Sequence, residues 1–349
     1  MKFNQFFIGD KSIGEKSPCL IIAEVGLAHE GSLGIAHSFI DAVAQSGADA
    51  IKFQTHIAEN ESSLNEPFRV NIFPQDKNRY DYWVRTAFKE KEWLELKKHA
   101  EEKNLLFLST PFSIEAANLL MRIGVKAWKV GSGETNNIML LEKLSTFKLP
   151  ILLSSGMSFI HELDYCIEFL KAKMIPTLLM QCISRYPCPP KDYGLNLIKE
   201  FKKRYAIPIG FSDHSGELST PLAAVSLGAK AIEMHVTWSK EYFGPDSTSS
   251  LTFDEFRTCI KGIRSIEESL FNPVKKDAVA KNLSEMRYLF TKGLIAAKNI
   301  KKGSYITSEN IESRKPCQGI SAFKYNSVIG KKALVDILRG EPIKENLIK

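Results

Sequence analysis

Eight times between residues 18 and 270 a short apolar run gives way to a stretch with helical spacing. The runs are CLIIAEVG (19–26), ADAIKFQTH (48–56), LLFLSTPF (105–112), AWKVGSGE (127–134), PILLSSGM (150–157), TLLMQCIS (177–184), IPIGFSDHS (207–215) and AKAIEMHVT (229–237). Amphipathic stretches such as GIAHSFIDAVAQSG, KEWLELKKHAEEK and TPLAAVSLG lie between them. Strands this uniformly apolar are buried on both faces, the condition of a parallel sheet covered by helices. Eight βα repeats predict an α/β fold, a (β/α)8 TIM barrel over residues 1–270. The competing open, doubly wound sheet usually has fewer strands and a glycine fingerprint after the first. Here the first run continues as AEVGLAHEG, which does not fit G-x-G-x-x-G.

In a barrel the C-terminal ends of all strands converge on one mouth. Those ends carry Glu24, Lys52 with Gln54, Ser109 with Thr110, Lys129 with Ser132, Ser154 with Ser155, Ser184, His214, and Glu233 with His235. Two lysines among hydroxyls make a site for a compact, multiply charged anion such as a phosphate-and-carboxylate metabolite. Taken singly, each lysine also reads as a solvated or salt-bridged strand end. The run AIEMHVTW (231–238) places Glu233 and His235 on one face of a buried strand, and buried ionisable groups require partners. His214 and His235 fall on adjacent strands at similar depth. Neutral imidazoles so placed can ligate one divalent ion of the manganese, iron, cobalt or zinc type, or serve as core hydrogen-bonding or acid–base groups. His29 and His56 follow the first two strands at the mouth; His37, His99 and His161 fall in helical patterns as surface or packing residues.

The chain has 349 residues, 44% hydrophobic and 25% charged, which suits soluble globular protein in one large domain and a small one, or in two medium domains. The N-terminal MKFNQFFIGDKSIGEK has no signal-like apolar core, and no run approaches the ~20 apolar residues of a membrane span. A cytoplasmic location without membrane contact is expected. Cys19, Cys166, Cys182, Cys188, Cys259 and Cys317 contain no CxxC pair, so reduced thiols are expected rather than a disulfide framework or structural zinc. Of the net charge of +7, residues 287–349 hold 13 Lys/Arg against 5 Asp/Glu, leaving −1 for the rest. These positives lack an aromatic-interleaved stripe, which argues against nucleic acid as a partner. Residues 271–286 read as a charged linker. Beyond it, GLIAAKNIKKGSYITSENI and VIGKKALVDILRGEPIKENLI resemble each other, predicting a small all-β domain over 287–349 built from two similar halves. So small a core is expected to dock on something.

Taken in order, IAEVG…HEG, IKFQT, STPF, WKVGSGE, LSSGM, YP.PP, GFSDHSG, IEMH and GPD…SL resemble the sialic acid synthase family, which makes N-acetylneuraminic, legionaminic, pseudaminic and related acids. The resemblance covers about residues 5–349, and the C-terminal part resembles that family's antifreeze-like, or SAF, domain, a β-clip fold. It implies a transferase that condenses phosphoenolpyruvate with an N-acyl, mannosamine-type aldehyde. The products are phosphate and a nine-carbon 2-keto acid. A divalent metal assists, manganese first, with magnesium or cobalt as alternatives. Carried over by motif, Lys52, Thr110, Lys129, Ser132, Ser154 and Ser212 bind phosphoenolpyruvate, His214 and His235 hold the metal, and Glu24 and Glu233 are candidate bases. Gln54, Tyr186 and Asp246 match positions facing the acceptor sugar, and Ser184 occupies a further such position with a changed residue; taken alone, Tyr186 before Pro187 also reads as a turn-packing aromatic and Asp246 as a turn former.

In that family the SAF domain reaches the mouth of a partner subunit in a domain-swapped homodimer and delivers an arginine to the acceptor's acyl group. The usual KRPG.GI reads RKPCQGI (314–320) here, so Lys315 precedes the proline and Arg314 lies one place earlier. Lysine lacks the planar fork of arginine, so acceptor recognition is expected to differ. Ser184 stands for the usual asparagine, AHEG (28–31) replaces NHNG, and an aromatic, charged insert, ESSLNEPFRVNIFPQDKNRYDYW (61–83), follows strand two as acceptor wall or lid. The other readings are a non-catalytic sugar-binding or assembly protein on this scaffold, and another phosphoenolpyruvate-dependent keto-acid sugar synthase, a class without a SAF domain.

Overall fold

An antiparallel hairpin precedes the first apolar run, with β1 (Gln5–Ile8) paired to β2 (Lys11–Gly14) around Gly9 and Asp10. The structure is a computed structural model that describes residues 4–70 and 75–349, and it divides into two units, one ending at Phe271 and one beginning at Asn272.

In the first unit the eight apolar runs form β3 (Leu20–Gly26), β4 (Ala50–Thr55), β5 (Leu106–Pro111), β6 (Trp128–Val130), β7 (Ile151–Ser154), β8 (Thr177–Gln181), β9 (Ile209–Asp213) and β10 (Ala231–Thr237). They pair in the order β5-β4-β3-β10-β9-β8-β7-β6, every ladder parallel. β5 and the three-residue β6 lie side by side and bring the sheet to a nearly closed barrel. A two-residue strand, β11 (Leu251–Thr252), adds to the end of β10.

Side chains alternate across each strand, and the alternation sorts the residues into two environments. Ile21, Ala23 and Val25 of β3, like Ile51 and Phe53 of β4, face the outer helices. One such helix, Leu33–Gln45, buries Phe39, Ile40 and Val43, and the Ser32 hydroxyl caps it by accepting from Ile35 N at 3.3 Å. Leu20 and Ile22 point inward and meet Ala50, Leu106, Leu108, Leu152, Leu178 and Met180 in the barrel interior. Gly210 of β9 makes room there, since a Cβ on it would collide with Met180 Sδ and the Ala231 carbonyl. Phe6, Ile8 and Ile13 of the hairpin join the same cluster and close the N-terminal end of the barrel. Above this apolar floor, the next inward positions of the strands are Glu24, Lys52, Thr110, Lys129, Ser154, Ser212 and Glu233, all buried.

The insert after β4 folds back on the barrel. Its helices Ala58–Glu61 and Arg79–Thr86 bring Ala58, Tyr82 and Trp83 onto Leu27, with Phe68 and Tyr80 alongside. Arg85 anchors it, donating to both oxygens of Asp76 and, at 2.9 Å, to Glu30 Oε2, while Tyr82 donates to Glu30 Oε1 at 3.3 Å. Residues 71–74 of the insert lie outside the described residues.

The second unit begins with the helices Lys276–Asn282 and Ser284–Phe290, neither of which buries a residue. β12 (Gly293–Ala296) then pairs antiparallel with β13 (Ile311–Arg314). The two similar halves are related by an approximate twofold. Ile300 and Ile337, at matching places in NIKKG and DILRG, exchange both backbone hydrogen bonds at 2.8 Å. Around them Asn299 Oδ1 accepts from Arg339 N and Asp336 Oδ1 from Lys302 N, each at 2.8 Å. The core of this unit is Leu294, Ala296, Ile300, Ile306, Ile337, Ile343 and their neighbours. Among the described residues no helix is long and apolar enough to cross a membrane, and all six cysteines are free.

Candidate active site

A cavity of about 530 Å³ opens at the C-terminal ends of the barrel strands, opposite the hairpin. Its inner end is a charged cluster. Lys52 Nζ lies 2.8 Å from Glu24 Oε2 and 3.7 Å from Glu233 Oε1, and donates to Thr110 Oγ1 at 3.2 Å. From the other side, Lys129 Nζ lies 3.5 Å from Glu233 Oε1 and donates to Ser154 Oγ at 2.7 Å. Ser212 completes the group, its hydroxyl donating to Glu233 Oε1 at 3.0 Å. The four charged side chains are 5% exposed or less.

Burial raises the Glu233 carboxyl, but Lys129 and Lys52 outweigh it and hold the group below the usual carboxylate range. Burial wins at Glu24, which has one adjacent lysine and feels the charge of Glu233, so its carboxyl is raised. Burial alone would lower the Lys52 ammonium, and the two carboxylates keep it above its ordinary value. Two cations and two carboxylates balance, yet Glu233 Oε2 is buried without a hydrogen-bond partner among the described residues. An incoming anion can take over the lysine protons at this end.

The histidines lie one level higher. His214 Nδ1 is 2.8 Å from the carbonyl of Ile183, which can only accept, so Nδ1 carries the proton and Nε2 presents its lone pair. That Nε2 faces Tyr186 OH at 3.2 Å and Ser212 Oγ at 3.4 Å. Burial, with His235 adding to it, pushes the His214 imidazole down to about 3, so it is neutral at physiological pH. The His214 and His235 rings stand 5.6 Å apart. Among the described residues no third His, Cys, Asp or Glu joins them in a metal cluster. Two imidazoles, with the Nε2 lone pair of His214 turned into the cavity, fit an open site in which a divalent ion would take its remaining ligands from water and substrate oxygens.

The outer wall comes from loops and the insert. Gln54 donates to Glu24 Oε1 at 2.9 Å and lies 3.3 Å from His56 Nε2. His56 is sandwiched between Trp83 at 3.8 Å and Phe112 at 4.2 Å, with its Nδ1 2.5 Å from Glu61 Oε1. Arg79 lies over the Trp83 ring, 4.8 Å from its centre, and pairs with Glu66 at 3.1 Å. Tyr186 carries Arg69 over its ring, and Arg69 pairs with Asp246. Ser184 Oγ is buried without a partner among the described residues, and Ser132 Oγ lies 3.3 Å from Cys182 Sγ.

All fourteen barrel residues singled out from the sequence, from Glu24 to Asp246, line this one cavity. Three neighbours do not. Ser109 sits between the inward Leu108 and Thr110, so the alternation turns it outward to Thr55 Oγ1 at 2.7 Å. Ser155 donates to Gln181 at 2.8 Å beneath the cavity wall. His29 is fully buried between Phe53 and Phe88, its Nδ1 accepting from Gly31 N. His56 does reach the mouth. Arg314 and Lys315 belong to the second unit, where Arg314 pairs with Glu312 at 2.7 Å and Lys315 Nζ lies over the Phe290 ring. The sequence reading did not single out Arg69, Arg79 or Trp83, which come from an insert without periodicity, nor Phe112, Glu134 and Cys182, which continue STPF, GSGE and TLLMQCIS into the mouth.

Residues 39–275 match the NeuB family, and residues 291–349 match the SAF domain. An N,N'-diacetyllegionaminic acid synthase of Campylobacter jejuni is 34% identical over 93% of this chain and 99% of its own length. A pseudaminic acid synthase of the same species is also 34% identical, over 93% of this chain and 95% of its length. Among solved structures, an N-acetylneuraminic acid synthetase from Leptospira borgpetersenii, in complex with citrate, superposes with a TM-score of 0.71 at 33% identity, covering 81% of this chain and 97% of that one.

Proposed function

The chain belongs to the NeuB family and ends in a SAF domain, and from that premise we propose that it condenses phosphoenolpyruvate with an N-acyl, mannosamine-type aldehyde. The products are a nine-carbon 2-keto sugar acid and phosphate. The observation that carries this reading is the inner cluster, where Lys52 and Lys129 flank Glu233 among the hydroxyls of Thr110, Ser154 and Ser212 at a closed barrel end. Phosphoenolpyruvate is the compact anion such a group can hold by its phosphate and carboxylate. Ser132 adds a further hydroxyl beside the inner cluster.

His214 and His235 would hold the divalent ion, manganese first, with magnesium or cobalt as alternatives. Bound there, the ion supplies Lewis-acid polarisation of the acceptor's carbonyl oxygen. The chain's own residues do the rest. The lysines and hydroxyls fix phosphoenolpyruvate so that its C3 faces the aldehyde, and the C3–C1 bond forms as the aldehyde oxygen takes up a proton. C2 is left electron-poor and is captured by water. The C2–O bond to phosphate then breaks, phosphate departs with the bridging oxygen, and C2 becomes the ketone. One water is consumed, its two protons passing to product and phosphate. Glu24 and Glu233, the only carboxylates of the inner cluster, are placed to carry those protons. Gln54, Ser184, Tyr186 and Asp246 face the acceptor. The same reading makes the working unit a domain-swapped homodimer in which Arg314 or Lys315 of one subunit serves the other's site.

The test is phosphate release by protein stripped of metal and reloaded with manganese, with phosphoenolpyruvate and a panel of N-acetylmannosamine and its diacetamido-trideoxy relatives. Release is expected only with all three components, with product mass identifying the acceptor. No release with any acceptor refutes the reading.

A further inference from the structure

Arg69 lies in the insert, yet it ties together the two loops that bound the outer end of the cavity. Its Nη2 donates to the Pro245 carbonyl at 3.1 Å and to Asp246 Oδ1 at 2.5 Å, in the loop after β10. Its guanidinium carbon lies 4.3 Å from the centre of the Tyr186 ring, in the loop after β8. Tyr186 in turn reaches His214 Nε2 with its hydroxyl. The N–H groups on Nε and Nη1 of Arg69 meet no acceptor among the described residues, and the side chain is 37% exposed in the cavity wall. A guanidinium stacked on an aromatic ring and clamped by a carboxylate has lost most of its rotamer freedom, so its open donors are pre-organised for a ligand oxygen.

The charge around it limits which oxygen. The outer wall holds two arginines, Arg69 and Arg79, and each is already paired, with Asp246 and Glu66. Glu61 and Glu134 add two more carboxylates, with His56 against Glu61. Among the described residues of the barrel's own wall nothing at this end offers an uncompensated positive charge, and a phosphate ester there would face four carboxylates. A carbonyl or hydroxyl oxygen would not.

Resting on the synthase reading above, we propose that Arg69 is a specificity-determining residue that binds an uncharged oxygen of the acceptor sugar, and that its pairing with Asp246 excludes phosphorylated acceptors. The experiment is steady-state kinetics of the manganese-loaded full chain with N-acetylmannosamine and with its 6-phosphate, varying phosphoenolpyruvate and acceptor in turn, for wild type, Arg69→Gln, Arg69→Lys and Asp246→Asn. Wild type should favour the uncharged sugar at least about tenfold in kcat/KM. Arg69→Gln should raise the acceptor KM about tenfold or more and leave the phosphoenolpyruvate KM within about twofold, as expected for loss of a charge-assisted hydrogen bond to one substrate. Arg69→Lys, which keeps the charge and loses the fork, should recover little of this, and Asp246→Asn should narrow the gap between the two sugars. Turnover with an acceptor KM unmoved in Arg69→Gln, equal rises in both KM values, or a preference for the 6-phosphate overturns the inference and leaves the synthase reading standing. Absence of turnover in wild type with any acceptor overturns both.

Discussion

Glu233→Gln isolates the charge balance of the inner cluster. Lys52 and Lys129 lie 3.7 and 3.5 Å from Glu233 Oε1, and among the described residues Glu24 is the only other carboxylate paired with either lysine. At an effective dielectric constant near 20 each of these contacts amounts to about 4–5 kcal/mol before desolvation. Neutralising the glutamate also removes its own burial cost, so the net loss should be about 3–5 kcal/mol, as for other buried pairs that lose one partner. For a unit of this size that corresponds to a fall in melting temperature of roughly 10 °C. The glutamine retains an oxygen for the Ser212 hydroxyl, so the geometry persists and an excess positive charge is left behind. Inorganic phosphate should therefore bind the variant more tightly than wild type; a hundredfold excess over its dissociation constant from the variant should stabilise the variant by about 2–3 kcal/mol, and the same concentration should stabilise wild type by less. Calorimetric melting with and without phosphate, alongside turnover, checks this. A variant that melts with wild type, or that gains no more from phosphate than wild type does, refutes the electrostatic account.

Three further outcomes are expected. His235→Ala should lose bound manganese and metal-dependent turnover while the circular dichroism spectrum is kept, checked by metal analysis after gel filtration. Glu30→Ala removes the partly exposed contacts to Arg85 and Tyr82, so the insert should open more often by about 1 kcal/mol, or roughly fivefold, read as faster limited proteolysis within residues 58–86. His29 is pushed down to about 3 by burial, with His56 adding to it. The unfolded chain therefore binds a proton below about pH 6.5 that the folded chain refuses, and stability should fall by about 2 kcal/mol between pH 6.5 and 5. In His29→Asn that part of the pH dependence should vanish from denaturant titrations.

The barrel and its inner site were legible because one rule carries both. Alternation along a strand that turns Leu20 and Ile22 inward must also turn Glu24 inward, and the same holds for Ala50 and Lys52 or Ala231 and Glu233. Neglect of that rule accounts for Ser109, whose place between two inward residues already assigns it outward. Other features depended on contacts that no local pattern reveals. The hairpin offers only Phe6, Ile8 and Ile13 as apolar anchors and makes sense only beneath a barrel. The insert has no periodicity, and its order comes from Arg85 meeting Glu30 across 55 positions of chain. His29 follows a strand as a mouth residue would, but the turn after β3 carries it outward against Phe88. In the second unit the repeat was visible as sequence, and the exchanged bonds of Ile300 and Ile337 are its physical form.

The hairpin that fills the barrel floor also governs traffic. With Phe6, Ile8 and Ile13 seated under Ile22 and Met180, the floor is closed among the described residues, and on the proposed reaction the ligand at Lys52 and Lys129 would lie behind the one at Tyr186 and Asp246. A store with one door is last in, first out. On the proposed reaction, phosphoenolpyruvate must enter before the acceptor, and an acceptor that arrives early blocks the way. Kinetics should show a compulsory order, with substrate inhibition by the sugar that excess phosphoenolpyruvate relieves.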